Sequence, residues 1–183
     1  MSAIVSEIFE LFARFGSRRY GEDLCLQDHM GQTAAMAQSL GAPASLVVAA
    51  LLHDIGYFLD CGPEMSASDG GDIGHEAVGA AWLSRAFDEE VTVPVALHVS
   101  AKRYLCAVEP RYHEQLSEAS RRSLARQGGA MSQSEAAAFA KEPAFEAAVL
   151  LRRCDDQGKN TQTATPDIER YRDLVIAALR PID

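Results

Sequence analysis

The segment LVVAALLHDIG, residues 46–56, decides the fold. Its first seven residues are all apolar, as expected of a helix buried inside a protein core. His53 and Asp54 follow this run directly, so the helix would deliver two potential metal ligands next to the core. A single His-Asp pair is a weak signal, because a capping Asp beside a core His gives the same dipeptide. The rest of the chain has to decide between the two interpretations.

Apolar residues recur at helical spacing through most of the chain. They predict helices over residues 4–15, 25–40, 44–54, 75–86, 89–105, 117–126, 134–141, 145–155 and 167–179. Residues 60–74, which are rich in Gly, Ser and Asp, predict a loop, and loops of this length are often functional. No alternating strand pattern, internal repeat or linker interrupts the helices. We therefore predict an all-α protein in which residues 1–183 form a single domain, an irregular helical bundle.

The amino-acid composition limits which binding partners and which cellular location can be expected. The 183 residues carry a formal net charge of -9, which disfavours nonspecific binding to nucleic acid because that binding needs a basic surface. No apolar run reaches the roughly 18 to 20 residues that span a bilayer, and the acidic N-terminal segment lacks the basic start of a secretory signal. We expect a cytoplasmic protein with no membrane partner, and the sequence leaves open whether it is a monomer or a small homo-oligomer. The four scattered cysteines contain no CxxC pair and predict reduced thiols.

Four of the five histidines belong to one pattern. The pattern H, HD, H, H, D is formed by His29, His53, Asp54, His75, His98 and Asp155. It resembles that of HD-domain proteins with a dinuclear metal centre in the core of the bundle. The resemblance implies that His75 and His98 hold a second ion and that Asp54 bridges the two. Imidazole and carboxylate suit iron, manganese or zinc, so ligand type alone does not choose the metal. His113 falls outside the pattern and is predicted to lie on the surface.

Three further segments make the resemblance to HD-domain proteins more specific. They are HVSAKRYL (98–105), LSEASRRSLARQGGAM (116–131) and DDQGK (155–159). These segments resemble the HD-domain mixed-valent diiron oxygenases of organophosphonate catabolism, and the similarity runs from about residue 20 to residue 171. It implies two iron ions, an Fe(II)/Fe(III) pair, which use O2 to convert a small 1-hydroxyphosphonate into a carboxylate and inorganic phosphate. No Rossmann or P-loop glycine pattern is present, so neither a nicotinamide nor a flavin is expected.

The same resemblance assigns roles to individual residues. Iron ligands would be His29, His53, Asp54, His75, His98 and Asp155, and phosphonate ligands would be Lys102, Ser120 and Arg152, with Asp54 and Lys102 counted as catalytic. The spacing agrees, because Lys102 follows His98 by four residues and Arg152 precedes Asp155 by three. Each cation therefore shares a helix face with a metal ligand. Taken singly, each cation would be better explained as a solvated surface residue.

The head group of the substrate is predicted from Tyr20, Glu22 and Tyr57. The resemblance places a Tyr and Glu pair upstream of His29 near the substrate amine, and HDIGYF has Tyr57 where the enzyme for the primary amine has a His. A trimethylammonium group has no N–H to donate and is better matched by aromatic faces. We therefore predict 1-hydroxy-2-(trimethylammonio)ethylphosphonate as substrate, with glycine betaine and phosphate as products.

Other interpretations stay open at this point. Tyr57 could be a packing residue at a helix end, and Glu22 a solvated carboxylate. The substrate could instead be 2-amino-1-hydroxyethylphosphonate, giving glycine and phosphate. The same ligands would also serve an HD phosphohydrolase that activates water, or an inactive HD domain that only senses a ligand.

Overall fold

The computed structural model describes residues 2–19, 23–59 and 74–181. In these ranges the helices are α1 (Ala3–Phe15), α2 (Leu26–Ser39), α3 (Ala44–Leu52), α4 (Gly56–Leu59), α5 (His75–Leu83), α6 (Glu89–Val108), α7 (Tyr112–Gln115), α8 (Glu118–Arg126), α9 (Gln133–Phe139), α10 (Phe145–Gln157) and α11 (Arg172–Ala177). A 3-10 turn, Ile168–Tyr171, precedes α11. The same ranges contain no strand, only two isolated bridges, so the all-α prediction is confirmed. None of these helices is both long enough and apolar enough to cross a membrane.

Helix α3 forms the centre of the bundle. Every residue from Leu46 to Leu52 is buried, and the helix packs against α2, α6, α10 and α11. A helix that is apolar on all sides is stable only when other helices surround it. This position places the C-terminal end of α3, and the residues that follow it, inside the protein.

The helix boundaries differ from the predicted ones in a few places. Helix α3 ends two residues early, and residues 53–55 form a turn before α4. The short helices α4 and α7 were not predicted, because four residues are too few to show a helical period. The segment 167–179 is divided into the 3-10 turn and α11. Nearly all of the predicted loop at 60–74 lies outside the described residues.

Gly56 allows α5 to approach the turn after α3. A Cβ atom at this position would lie only 2.0 Å from the backbone oxygen of His75. Gly56→Ala should therefore force α4 and α5 apart and lower the free energy of unfolding by about 1 to 3 kcal/mol, as other overpacked substitutions do. Gly79→Ala is the graded control, since its Cβ would meet the nearest atom at 3.2 Å. Urea denaturation would measure both, and an equal effect of the two substitutions would contradict this account.

Candidate metal centre and adjoining cavity

Six side chains converge at the inner end of α3. They are His29 on α2, His53 and Asp54 in the turn after α3, His75 at the start of α5, His98 on α6 and Asp155 on α10. None of them is more than 4% exposed. The structure thus brings together all six residues that the sequence pattern singled out.

Asp54 lies between two pairs of histidines. Its Oδ2 atom is 3.5 Å from His29 Nε2 and 3.4 Å from His53 Nε2. Its Oδ1 atom is 3.2 Å from His75 Nε2 and 3.8 Å from His98 Nε2. Within the two pairs, the Nε2 atoms are 3.1 Å and 3.2 Å apart. These distances define two donor groups that share Asp54, and each group is compact enough to surround one metal ion.

Backbone carbonyl groups fix the orientation of three of the histidines. The Nδ1 atoms of His29, His53 and His98 lie 2.9 Å, 2.9 Å and 2.7 Å from a carbonyl oxygen. The respective carbonyl groups belong to Gly158, Ala50 and Val95. An Nδ1–H that donates to a carbonyl leaves a lone pair on Nε2, which is the tautomer that a metal ligand needs. Because these Nε2 lone pairs face neighbouring lone pairs and a carboxylate, the donor set fits a bound cation.

The charges of these side chains also suit metal binding. Burial acts to raise the pKa of Asp54, but His53 and its hydrogen bond outweigh burial and hold that pKa well below the usual value. The pKa of Asp155 is likewise well below its usual value, because Arg152 and Lys159 outweigh the effect of burial. Burial, followed by repulsion from other histidines, lowers the pKa of His98 well below its usual value. The carboxylates are therefore ionised and His98 is neutral, which are the ligand forms.

Tyr57 packs directly against the centre. Its ring stacks on the ring of His75, with centroids 4.2 Å apart and planes 15° from parallel. The same Tyr57 also lines the cavity beside the centre. One face of the phenol ring thus supports a histidine, while the residue borders the space where a ligand would bind.

A cavity of about 170 Å³ opens beside the six clustered side chains. Lys102, Ser120 and Arg152 all line it, and each is at most 6% exposed. A Lys or Arg is rarely this buried without a partner of opposite charge. The three residues predicted to bind a phosphonate therefore lie together, next to the predicted metal ligands.

Within the part of the chain that the structure describes, five further polar residues line the cavity and were missed in the sequence, and two of them contact the predicted phosphonate ligands. The five are Arg122, Ser123, Arg126, Gln127 and Lys159. Lys159 Nζ donates to Ser120 Oγ at 2.9 Å and lies 3.2 Å from Asp155 Oδ1. Ser123 Oγ accepts a hydrogen bond from Lys102 Nζ at 2.8 Å. Lys159 follows Asp155 by four residues, and this spacing is the same signal that identified Lys102. Ser123 gave no signal, because a serine on a polar helix has many possible roles.

Two predicted head-group residues and one further histidine lie apart from the cluster of six side chains or outside the described structure. Tyr20 and Glu22 lie outside the described residues, so their role in recognising the head group stays a prediction. His113 is exposed on α7, as predicted, and it is not part of the metal centre.

The charge of Lys102 should make ligand binding depend on pH. Burial, followed by repulsion from Arg152, lowers the pKa of Lys102 from 10.5 to about 7. The ammonium form is therefore lost as the pH rises through 7, and affinity for an anion should fall by up to about tenfold per pH unit above that value. Titration calorimetry with methylphosphonate from pH 6 to 9 would measure this slope. In Lys102→Arg the side chain stays charged, so an equally steep slope in that variant would show that another group is responsible.

Comparison with known proteins identifies the family. A sequence profile described as the HD domain matches residues 26–141, more than half of the chain. A [1-hydroxy-2-(trimethylamino)ethyl]phosphonate dioxygenase (glycine-betaine-forming) of Leisingera caerulea is 41% identical over 173 residues, covering 94% of this chain and 88% of that protein. A hydroxymethylphosphonate dioxygenase of Gimesia maris is 42% identical over 176 residues, covering 96% of this chain and 88% of that protein. The chain belongs to the HD-domain family and is a relative of its phosphonate dioxygenases.

Proposed function

We propose that this protein is a diiron oxygenase that uses O2 to cleave the carbon–phosphorus bond of 1-hydroxy-2-(trimethylammonio)ethylphosphonate. The products are glycine betaine and phosphate. The observation that carries the proposal is the arrangement of Asp54 between two histidine pairs, beside a cavity lined by buried Lys102 and Arg152. The two curated dioxygenases, each similar over more than nine-tenths of the chain, support the same chemistry. An enzyme that hydrolyses phosphate esters would not need O2, and both relatives are named as dioxygenases.

Each donor group would hold one iron ion. His29, His53 and Asp155 would complete one site with Asp54, and His75 and His98 would complete the other. When bound, the iron pair supplies Lewis acidity and the electrons that activate O2. The protein's own contribution is to fix ligand geometry through the Nδ1 hydrogen bonds and to bury the six side chains inside the bundle.

The cavity residues would bind the phosphonate and retain the phosphate as it forms. Lys102, Arg152 and Lys159 supply positive charge to the lining of the cavity, and Ser120 supplies a hydroxyl group. The guanidinium group offers a planar fork and the ammonium groups offer point charges, a combination that suits a tetrahedral anion. Overall, one hydroxyphosphonate dianion and one O2 give one carboxylate, one hydrogen phosphate dianion and one proton. Both oxygen atoms of O2 are needed for this balance.

The decisive experiment measures phosphate release by the iron-loaded protein with and without O2. The panel contains the trimethylated substrate, 2-amino-1-hydroxyethylphosphonate, hydroxymethylphosphonate and an ordinary phosphate ester. We expect release from hydroxyphosphonates only when O2 is present, with one O2 consumed per phosphate. Release from the ester without O2, and no turnover of any hydroxyphosphonate, would show that the protein is a phosphohydrolase instead.

Tyr57 should contribute to the choice of head group. A trimethylammonium group against one aromatic ring gains about 0.5 to 2 kcal/mol, whereas a primary ammonium prefers hydrogen-bond acceptors. We expect a higher kcat/KM for the trimethylated substrate than for the primary amine, and we expect Tyr57→Leu to reduce the preference by roughly 2- to 30-fold. Tyr57→Phe keeps the ring and should keep the preference. Equal or better turnover of the primary amine by the wild type would refute this head group and leave the diiron proposal intact.

A further inference from the structure

Arg152 is held by three side chains at once. Its Nη1 donates to Asp155 Oδ2, its Nη2 forms an ion pair with Asp156 Oδ1, and its Nε lies 3.3 Å from Asp156 Oδ2. The same Nε donates to the hydroxyl oxygen of Tyr112 at 3.0 Å. Tyr112 in turn donates its own hydroxyl proton to Asp156 Oδ2. Asp156 and Tyr112 thus bind one edge of the guanidinium group and also bind each other.

This arrangement leaves part of the guanidinium group for a ligand. A guanidinium carries five N–H bonds, two of them on each Nη. The described contacts use the Nε–H and one N–H from each Nη. One N–H on Nη1 and one on Nη2 remain, and each can donate to an oxygen of a tetrahedral anion. Asp156 and Tyr112 occupy the edge formed by Nε and Nη2, and this choice of edge determines which N–H bonds stay available for a ligand.

Tyr112 also connects Arg152 to helices that carry other residues of the cavity lining. Tyr112 is 6% exposed and packs in a small apolar cluster with Leu105 on α6, Leu116 just after α7, and Leu124 on α8. Helix α8 carries Ser120 and therefore forms another wall of the same cavity. The phenol ring thus sits among α6, α7 and α8, while its hydroxyl group reaches α10. Neither Tyr112 nor Asp156 lines the cavity itself.

We infer that Asp156 and Tyr112 are positioning residues, which orient the guanidinium group of Arg152 so that its remaining N–H pair binds the phosphonate. The inference rests on the proposed function, because it assumes that Arg152 binds the substrate. Neither residue touches the substrate, and their effect passes entirely through Arg152. Loss of either one should weaken binding of the substrate in its ground and transition states alike, so KM should change more than kcat.

Two variants test this role, with a matched control. Asp156→Asn and Tyr112→Phe should each raise KM by roughly 10- to 100-fold, the effect of losing a hydrogen bond with a charged partner, and should change kcat by less than about threefold. Iron content should stay at the wild-type value. The control is Glu109→Gln, which removes the exposed carboxylate partner of Arg153, the next residue on α10, and should leave KM unchanged. Tyr112→Phe keeps the buried ring, so it provides the result if Asp156→Asn does not fold.

A double-mutant cycle separates positioning from a purely structural role. In an Arg152→Lys background, where no planar fork exists, Tyr112→Phe should raise KM by less than about twofold. If Tyr112→Phe raises KM by the same factor in the Arg152→Lys background as in the wild type, the inference is wrong. It is also wrong if both single variants are active and neither changes KM.

Calorimetric binding of methylphosphonate tests the positioning role without turnover. If the wild type binds it and the two variants bind at least tenfold more weakly, the positioning role stands even when no hydroxyphosphonate is cleaved and the proposed function fails. If the wild type and both variants bind it equally, or none of them binds it, the positioning role is wrong.

Discussion

Asp54→Ala should leave a protein that binds at most one iron ion per chain and cleaves a hydroxyphosphonate at less than about a thousandth of the wild-type rate. Asp54 is the residue shared by both donor groups, and its two oxygens face different histidine pairs. Losing it removes one anionic ligand from each ion and the bridge between them. The two cations would then repel each other inside a buried site with no bridging anion between them. The variant should therefore keep only one of the two ions.

Iron analysis and magnetic resonance would test this expectation. The wild type should hold two magnetically coupled ions, and Asp54→Ala should show no coupled signal at any iron concentration that keeps the protein soluble. His113→Ala is the matched control, because it removes an exposed histidine that lies outside the centre. An Asp54→Ala protein that keeps two coupled irons would rule out the bridging role, whatever its activity.

The clustering of the six predicted metal ligands could be foreseen because their residue types are rare and chemically specific. His29 and Asp155 are far apart in the chain, yet few other residues could serve beside His53 and Asp54. The burial of α3 also followed directly from its uninterrupted apolar run. Rare residue types and strong patterns therefore account for the parts of the fold and of the site that the sequence revealed.

The contacts around Arg152 could not be predicted in the same way. Asp156 and Tyr112 are common residue types, and Tyr112 lies on a four-residue helix that shows no period. Their contact depends on how α7 packs against α10, which is a tertiary property. For the same reason, spacing in the sequence could not distinguish the role of Lys102 from that of Arg152. The structure shows that they differ, since Arg152 pairs with two carboxylates while Lys102 donates to a serine hydroxyl.

This difference predicts opposite effects of the two cations on stability. Lys102→Met and Arg152→Met should each weaken phosphonate binding by about 2 to 3 kcal/mol, or roughly 30- to 150-fold, because each removes a charge-assisted hydrogen bond from a buried site. Arg152→Met should also lower the free energy of unfolding by about 3 kcal/mol, since it removes the buried guanidinium that pairs with both Asp155 and Asp156 and leaves them only Lys159. It should disturb iron binding as well, because Asp155 is a proposed ligand.

Lys102→Met should instead fold at least as stably as the wild type. The pKa of Lys102 falls from 10.5 to about 7 because burial disfavours the charged form. The destabilisation of the folded protein by the buried ammonium group is therefore complete below about pH 7 and absent above about pH 10.5. The stabilisation by Lys102→Met should therefore be largest at pH 6 and shrink as the pH rises toward 10. Thermal unfolding of the metal-free protein over this range would measure it, with Lys141→Met, at an exposed lysine outside the cavity, as control. If Lys102→Met is less stable than the wild type at pH 6, or binds methylphosphonate as tightly, then Lys102 is not a strained cation kept for anion binding.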